Sequence, residues 1–246
     1  MSDPNQRFVP SGLVDFPAAG LPEYKSCYAI VLDSLFTREE LTAFLAEAES
    51  SGPWQIAQIN AGDYAFTDTS YRKGDRLIYD SFELSEKIFA RMRPFLGAIE
   101  EIEMPAYIRG REMTRARQKW RMVRLNERLR YLRYPVGGFF KEHADGTYVC
   151  QETKQRTFFT LQFYLPSNAS GSDESFLPPQ GGSTRFLSLD DDRDDYADVE
   201  ARPGRALIFQ HADLLHTGEL VTGGVKVTVR SDILYEKVGE PVPLDD

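Results

Sequence analysis

The chain has 246 residues, of which 41% are hydrophobic and 27% charged, an ordinary composition for a globular protein built on one core. No apolar run approaches the roughly 18 residues of a membrane span, and the opening MSDPNQRFVP lacks a basic-then-apolar leader, so a cytoplasmic protein with no membrane contact is expected. With 38 acidic and 29 basic side chains the formal charge is −9, which disfavours nonspecific binding of nucleic acid. Cys27 and Cys150 read as free thiols. The scarcest informative residue is histidine, at His143, His211 and His216 only.

Residues 1–24 carry Pro4, Pro10, Pro17 and Pro22 with Gly12 and Gly20 and read as an extended, partly disordered segment. A single domain over 25–236 follows, with a helix-rich support over 25–119, a core over 120–236 and a tail over 237–246. Cys27 to Leu32 reads as a buried strand. Thr37 and Glu40 have capping-box spacing ahead of the stripe Leu41, Phe44, Leu45 and Ala48, and Gly52-Pro53 ends that helix. Leu84, Ile88, Phe89 and Met92 mark a second helix from near Phe82 to about Pro94. The basic stretch 105–124 and the acidic stretch 190–200 read as solvated loops; DDDRDD lacks the Gly and Glu of an EF-hand loop.

From Trp120 onward short alternating runs predict strands near 120–125, 128–134, 139–144, 156–165, 183–189, 205–210 and 225–235, a β barrel or sandwich. If Phe139 to Asp145 is extended, His143 and Asp145 project from one face, able to meet on one ion. A later histidine, at His216, would complete two imidazoles and one carboxylate, a facial triad with open positions suited to non-haem Fe(II) oxygen chemistry. In the last strand Lys226, Thr228 and Arg230 share one face and Val225, Val227 and Val229 the other. A lysine row on the opposite side of a central strand needs a partner or solvent. The distal carboxylate of a dicarboxylic 2-oxo acid would serve.

Four motifs give these residues a family. They are Tyr134-x-x-Gly137-Gly138 nine residues before His143-x-Asp145, Gly181-Gly182-x-Thr184-x-Phe186, Pro203-Gly204-Arg205-Ala206-Leu207-Ile208-Phe209, and His216-x-Gly-x-x-Val-x-x-Gly-x-Lys226. The chain resembles the iron and 2-oxoglutarate dependent dioxygenases of the prolyl 4-hydroxylase-like branch over about residues 120–236. The resemblance implies a mainly β fold with N-terminal helices, the double-stranded β-helix or jelly roll. It also implies Fe(II) on His143, Asp145 and His216, and 2-oxoglutarate held by Lys226 with Tyr164, while Tyr134, Thr160, Gln162 and Thr184 line the cavity. Ascorbate is expected to support turnover. His211 is the rival ligand, but the ten residues from His216 to Lys226 match the pattern and favour His216; Arg230 is likewise the rival anchor to Lys226.

The implied reaction couples decarboxylation of 2-oxoglutarate to succinate with oxidation of an unactivated C–H bond. A carboxylate at Asp145 leaves no vacancy for halide, so hydroxylation, or a related desaturation or cyclisation, is expected. Asn126, Arg128, Arg130 and Tyr134 would share an inward face, and buried arginines need anions. Arg128, Arg130 or Arg230 would thus hold either a substrate carboxylate or an internal acid such as Asp232. Loops 60–80, 105–124 and 166–182 are candidate lids. The expected substrate is a small molecule; the alternatives are a peptide prolyl hydroxylase acting as a modifier or oxygen sensor, and a non-catalytic jelly-roll module.

Overall fold

The computed structural model describes residues 9–61, 64–108, 111–190 and 194–243; residues 1–8 of the N-terminal segment and the middle of DDDRDD lie outside them. Helix α1 (Arg38–Ser51) starts at Thr37, whose hydroxyl accepts from the Glu40 amide while the Glu40 carboxylate accepts from the Thr37 amide. That reciprocal cap satisfies two otherwise orphaned donors. Helix α2 (Phe82–Met92) is capped by Ser81 and passes into a 3-10 turn over Arg93–Phe95, where Pro94 has no amide to continue the ladder. The stripes Leu41, Phe44, Leu45, Ala48 and Leu84, Ile88, Phe89, Met92 are buried in one cluster with Leu161, Phe163, Val227 and Val229. Both helices therefore cover the outer face of a sheet. No helix among the described residues is long and apolar enough to cross a membrane.

The strands that position the site are β1 (Ala29–Leu32), β2 (Arg72–Lys73), β3 (Asp75–Asp80), β4 (Glu101–Ile108), β5 (Arg111–Leu125), β6 (Arg128–Tyr134), β7 (Phe139–His143), β8 (Arg156–Leu165), β9 (Thr184–Leu187), β10 (Tyr196–Val199), β11 (Ala206–Gln210), β12 (His216–Gly218) and β13 (Lys226–Pro243). A major sheet runs β1-β11-β8-β13-β6-β3, and a minor sheet runs β10-β9-β12-β7-β2. This is the mainly β jelly roll expected. Between the sheets, Phe186, Leu207, Phe209 and Tyr164 pack with Phe16, Leu21 and Tyr24 of the N-terminal segment and close one end with apolar side chains. Polar groups collect toward the other end.

Four stretches differ from their sequence reading. The end of the 60–80 loop is β3, paired with β6 in the major sheet. The basic stretch 105–124 is not a loop over the barrel: β4 and β5 form a hairpin, and β5 extends the major sheet by pairing with the far half of β13. β13 consequently continues to Pro243, through residues set apart as a tail. Charge hid this hairpin, because cross-strand partners such as Glu101 and Arg121 neutralise each other on an exposed face. Inside the acidic stretch, β10 pairs with β9, and buried Asp198 receives two hydrogen bonds from Arg185 and one from Ser183.

Gly181 holds the hairpin-like contact ahead of β9. Its φ is +69°, and a Cβ there would lie 2.3 Å from the Leu220 carbonyl oxygen. Gly181→Ala is expected to cost about 2–4 kcal/mol through left-handed strain and backbone overlap, read as a lower denaturation midpoint at an unchanged slope.

Candidate metal centre and its cavity

Antiparallel pairing of β7 with β12 sets His143 directly opposite His216, after a bulge between Phe140 and His143. β7 ends at His143, so Asp145 comes from the following coil rather than the same extended face, yet its carboxylate turns back onto the imidazoles. His143 Nε2 lies 3.9 Å from Asp145 Oδ1, and His216 Nε2 lies 4.0 Å from Asp145 Oδ2. One ligand atom from each residue falls within 4.8 Å of the others.

The protonation states fit a metal. His143 Nδ1 donates to the Lys141 carbonyl at 2.7 Å, and His216 Nδ1 donates to the Leu214 carbonyl at 3.0 Å, which leaves both Nε2 lone pairs facing Asp145. Burial, reinforced by the neighbouring His216, pushes His143 down to about 3; burial lowers His216 as well. Burial alone would raise Asp145, but Arg230 and the two imidazoles hold its carboxyl below the usual range. The set is two neutral imidazoles and one carboxylate, the donor chemistry of a facial triad. Aromatic rings keep it dry: Phe140 stacks on His143 at 3.7 Å, and Phe209 meets His216 edge-on at 4.9 Å.

Asp145 is fixed from the opposite sheet. Thr160 Oγ1 donates to Asp145 Oδ2 at 2.6 Å and Arg230 Nη2 lies 3.1 Å from Oδ1. Arg230 also reaches Asp232 at 3.2 Å, and Asp232 pairs with Arg130 at 3.0 Å. Arg230→Gln is expected to lower Mn(II) affinity about 10–100-fold by freeing the carboxylate, measured by metal titration on a variant whose circular dichroism is native.

The remaining predicted residues fall into place unevenly. A cavity of about 80 Å³ is lined by Tyr134, Gln162, Thr184 and Lys226 together with the triad. Lys226 is 4% exposed and forms no ion pair among the described residues; burial pushes its ammonium down to about 7. The Tyr134 and Tyr164 rings flank it, with centroids 5.6 and 5.8 Å from Nζ. Tyr164 donates to Thr184 Oγ1 at 2.8 Å, and Gln162 Nε2 donates to the same oxygen at 2.9 Å. Arg128 is absent from this lining. It forms a two-pronged bond to Asp80 and is largely exposed, because the inward face of β6 begins only at Arg130. Arg130 and Arg230 do line the cavity, each engaged by an internal acid. His211 sits outside it, 2% exposed and 3.5 Å from Asp232 Oδ1.

Sequence reasoning missed Phe140, Gln58, Arg72 and Arg76, all in the cavity wall. Phe140 was within reach, since it lies three residues before His143 on the same strand. Gln58 and Arg72 come from short segments that carry no periodic signal, and Arg76 from a strand, β3, that falls within residues read as a loop.

Residues 129–231 match the family model of the 2OG-Fe(II) oxygenase superfamily. Among solved structures, a Pseudomonas putida prolyl-4-hydroxylase superposes with a TM-score of 0.53 at 13% identity, covering 87% of this chain and 97% of that one. The viral collagen prolyl hydroxylase of Paramecium Bursaria Chlorella virus-1, in its 2OG complex, gives 0.51 at 17% identity over 84% and 95%. A Trichoplax adhaerens prolyl hydroxylase bound to a hypoxia inducible factor peptide fragment gives 0.51 at 11% over 88% and 89%. These likenesses are of fold. No curated protein matches the sequence.

Proposed function

We propose that this chain, whose residues 129–231 match the 2OG-Fe(II) oxygenase superfamily, is an Fe(II)- and 2-oxoglutarate-dependent dioxygenase that hydroxylates an unactivated C–H bond of a small, carboxylate-bearing molecule. The observation that carries this reading is the pairing of a neutral two-histidine, one-carboxylate set with a buried, unpaired lysine in one cavity. His143, Asp145 and His216 would hold the iron. Bound Fe(II) with 2-oxoglutarate supplies the dioxygen-dependent oxidation of the C–H bond and the conversion of the oxo acid to succinate and carbon dioxide.

The chain's own groups do the rest. Lys226 would receive the distal carboxylate, taking a proton at Nζ above about pH 7, with Tyr134, Tyr164 and Thr184 setting the width of its slot. Thr160 and Arg230 hold the Asp145 carboxylate in one orientation, and Lys141 and Leu214 carbonyls hold the two rings. Phe140, Phe186 and Phe209 exclude water around the imidazoles, which strengthens every charge interaction there. The narrowness of the cavity supports a compact substrate over a peptide.

Succinate formation with Fe(II), ascorbate and 2-oxoglutarate tests the proposal, together with mass analysis of candidate small acids for a gain of one oxygen. Turnover with a prolyl peptide and with no small acid would replace the substrate reading by the peptide one.

A further inference from the structure

We propose that Arg72 and Arg76 form an oxyanion clamp beside the metal centre that receives the acidic group of the substrate, a carboxylate or a phosphate. The clamp rests on the oxygenase reading above and assigns the substrate contact to residues other than Arg128 and Arg130.

The two arginines approach from different sheets. Arg72 lies on β2 opposite Phe140 of the minor sheet, and Arg76 lies on β3 opposite Leu132 of the major sheet. Both reach Gln58, Arg72 Nη1 donating to its backbone oxygen at 3.1 Å and Arg76 Nη2 to its side-chain oxygen at 2.5 Å. Arg72 Nη2 also donates to the Tyr134 hydroxyl at 3.1 Å, and its guanidinium carbon stands 4.3 Å over the Phe140 ring that stacks on His143. One ring thus separates the clamp from a metal ligand.

Their partners are what set them apart. The other arginines of this region each meet an acid: Arg128 meets Asp80, Arg130 meets Asp232, Arg133 meets Asp75 and Arg230 meets Asp145. Among the described residues Arg72 and Arg76 form no ion pair, and the Nε of each is buried with no hydrogen-bond acceptor. Two partly buried guanidiniums that share Gln58, each with its Nε shielded and no acid beside it, are a cationic site that an anion would satisfy. Burial and the charge of Arg72 accordingly push Arg76 down. The single carboxylate in the cavity lining, Asp145, is already engaged by Arg230 and faces the imidazoles. Lys226 would be occupied by 2-oxoglutarate, so this pair is the cationic surface left for a second anion. Planar forks suit two-pronged binding of carboxylate or phosphate.

The test uses the full chain loaded with Mn(II) and 2-oxoglutarate, with paramagnetic broadening of propionate protons and of inorganic phosphate phosphorus as the readout and propionamide as the neutral control. Saturable broadening of propionate or of phosphate is expected, none is expected for propionamide, and Arg72→Gln and Arg76→Gln are each expected to weaken binding at least about tenfold. Broadening of propionate alone assigns a carboxylate; broadening of phosphate alone assigns a phosphate. The clamp is overturned if neither anion is broadened, if the amide is broadened equally, if the variants bind as wild type does, or if the variants lose 2-oxoglutarate instead of the probe. A wild-type protein that takes up neither Mn(II) nor 2-oxoglutarate would remove the oxygenase reading itself, an outcome distinct from all of these.

Discussion

His216→Ala and His143→Ala are each expected to yield folded protein that neither retains Fe(II) nor forms succinate, whereas His211→Ala keeps both. Removing either imidazole leaves two protein donors, too few for a stable facial site, and exposes Asp145 to Arg230 as a simple buried ion pair. His211 sits elsewhere, against Asp232, with both ring nitrogens lacking a hydrogen-bond partner. Its truncation should cost stability through the cavity left behind, about 1–3 kcal/mol, with metal affinity changed little. Metal content after gel filtration, beside a melting curve for each variant, separates the two effects. Loss of iron in folded His211→Ala protein would reassign the ligand.

Lys226→Met is expected to raise the KM for 2-oxoglutarate by about 10–100-fold, the loss of one charge-assisted hydrogen bond of about 1.5–3 kcal/mol. The same change should stabilise the protein without cosubstrate. Lys226 is depressed by burial from 10.5 to about 7, so between those values the unfolded chain binds more protons than the folded one and stability rises with pH. Below about pH 7 the full penalty of a buried ammonium is present. The melting temperature of Lys226→Met should therefore exceed wild type most at pH 6–7, and the gap should close toward pH 10. For wild type, 2-oxoglutarate affinity should fall as pH rises above about 7, because binding must then draw a proton to Nζ; in the variant that slope should vanish. Equal melting at pH 6 with an unchanged KM would show that Lys226 meets no carboxylate.

How much of this was legible in the residues depends on what kind of signal each part leaves. The capping box at Thr37 and the two apolar stripes are local patterns, and the structure has both helices within a residue or two of their reading. The alternation of Lys226, Thr228 and Arg230 with valines is likewise local, and it fixed which face looks inward. The triad was readable through His143-x-Asp145 on a predicted strand and the ten residues from His216 to Lys226, whereas the short strand that begins at His216 was not predicted. Partner choice was not readable. Whether Arg130 meets Asp232, or Arg76 meets an amide rather than an acid, depends on register across β3, β6 and β13, which no single segment encodes. The hairpin of β4 and β5 was missed for a related reason: its charged outer face masks the alternation by which exposed strands are found.

One strand carries Lys226, Arg230 and Asp232, and it pairs with β6 and β8 on its two sides and farther along with β5. Side chains alternate at every residue of a strand, so a one-residue slip would bury the three charges against α1 and α2 and turn Val227 and Val229 toward the iron ligands. Insertion or deletion of a single residue between Gly224 and Asp232 is thus all-or-none, erasing oxo-acid anchor, carboxylate brace and core together. Length in this short stretch is as constrained as identity, whereas the far half of the strand beyond Val238, already irregular where it meets β5, has room to drift.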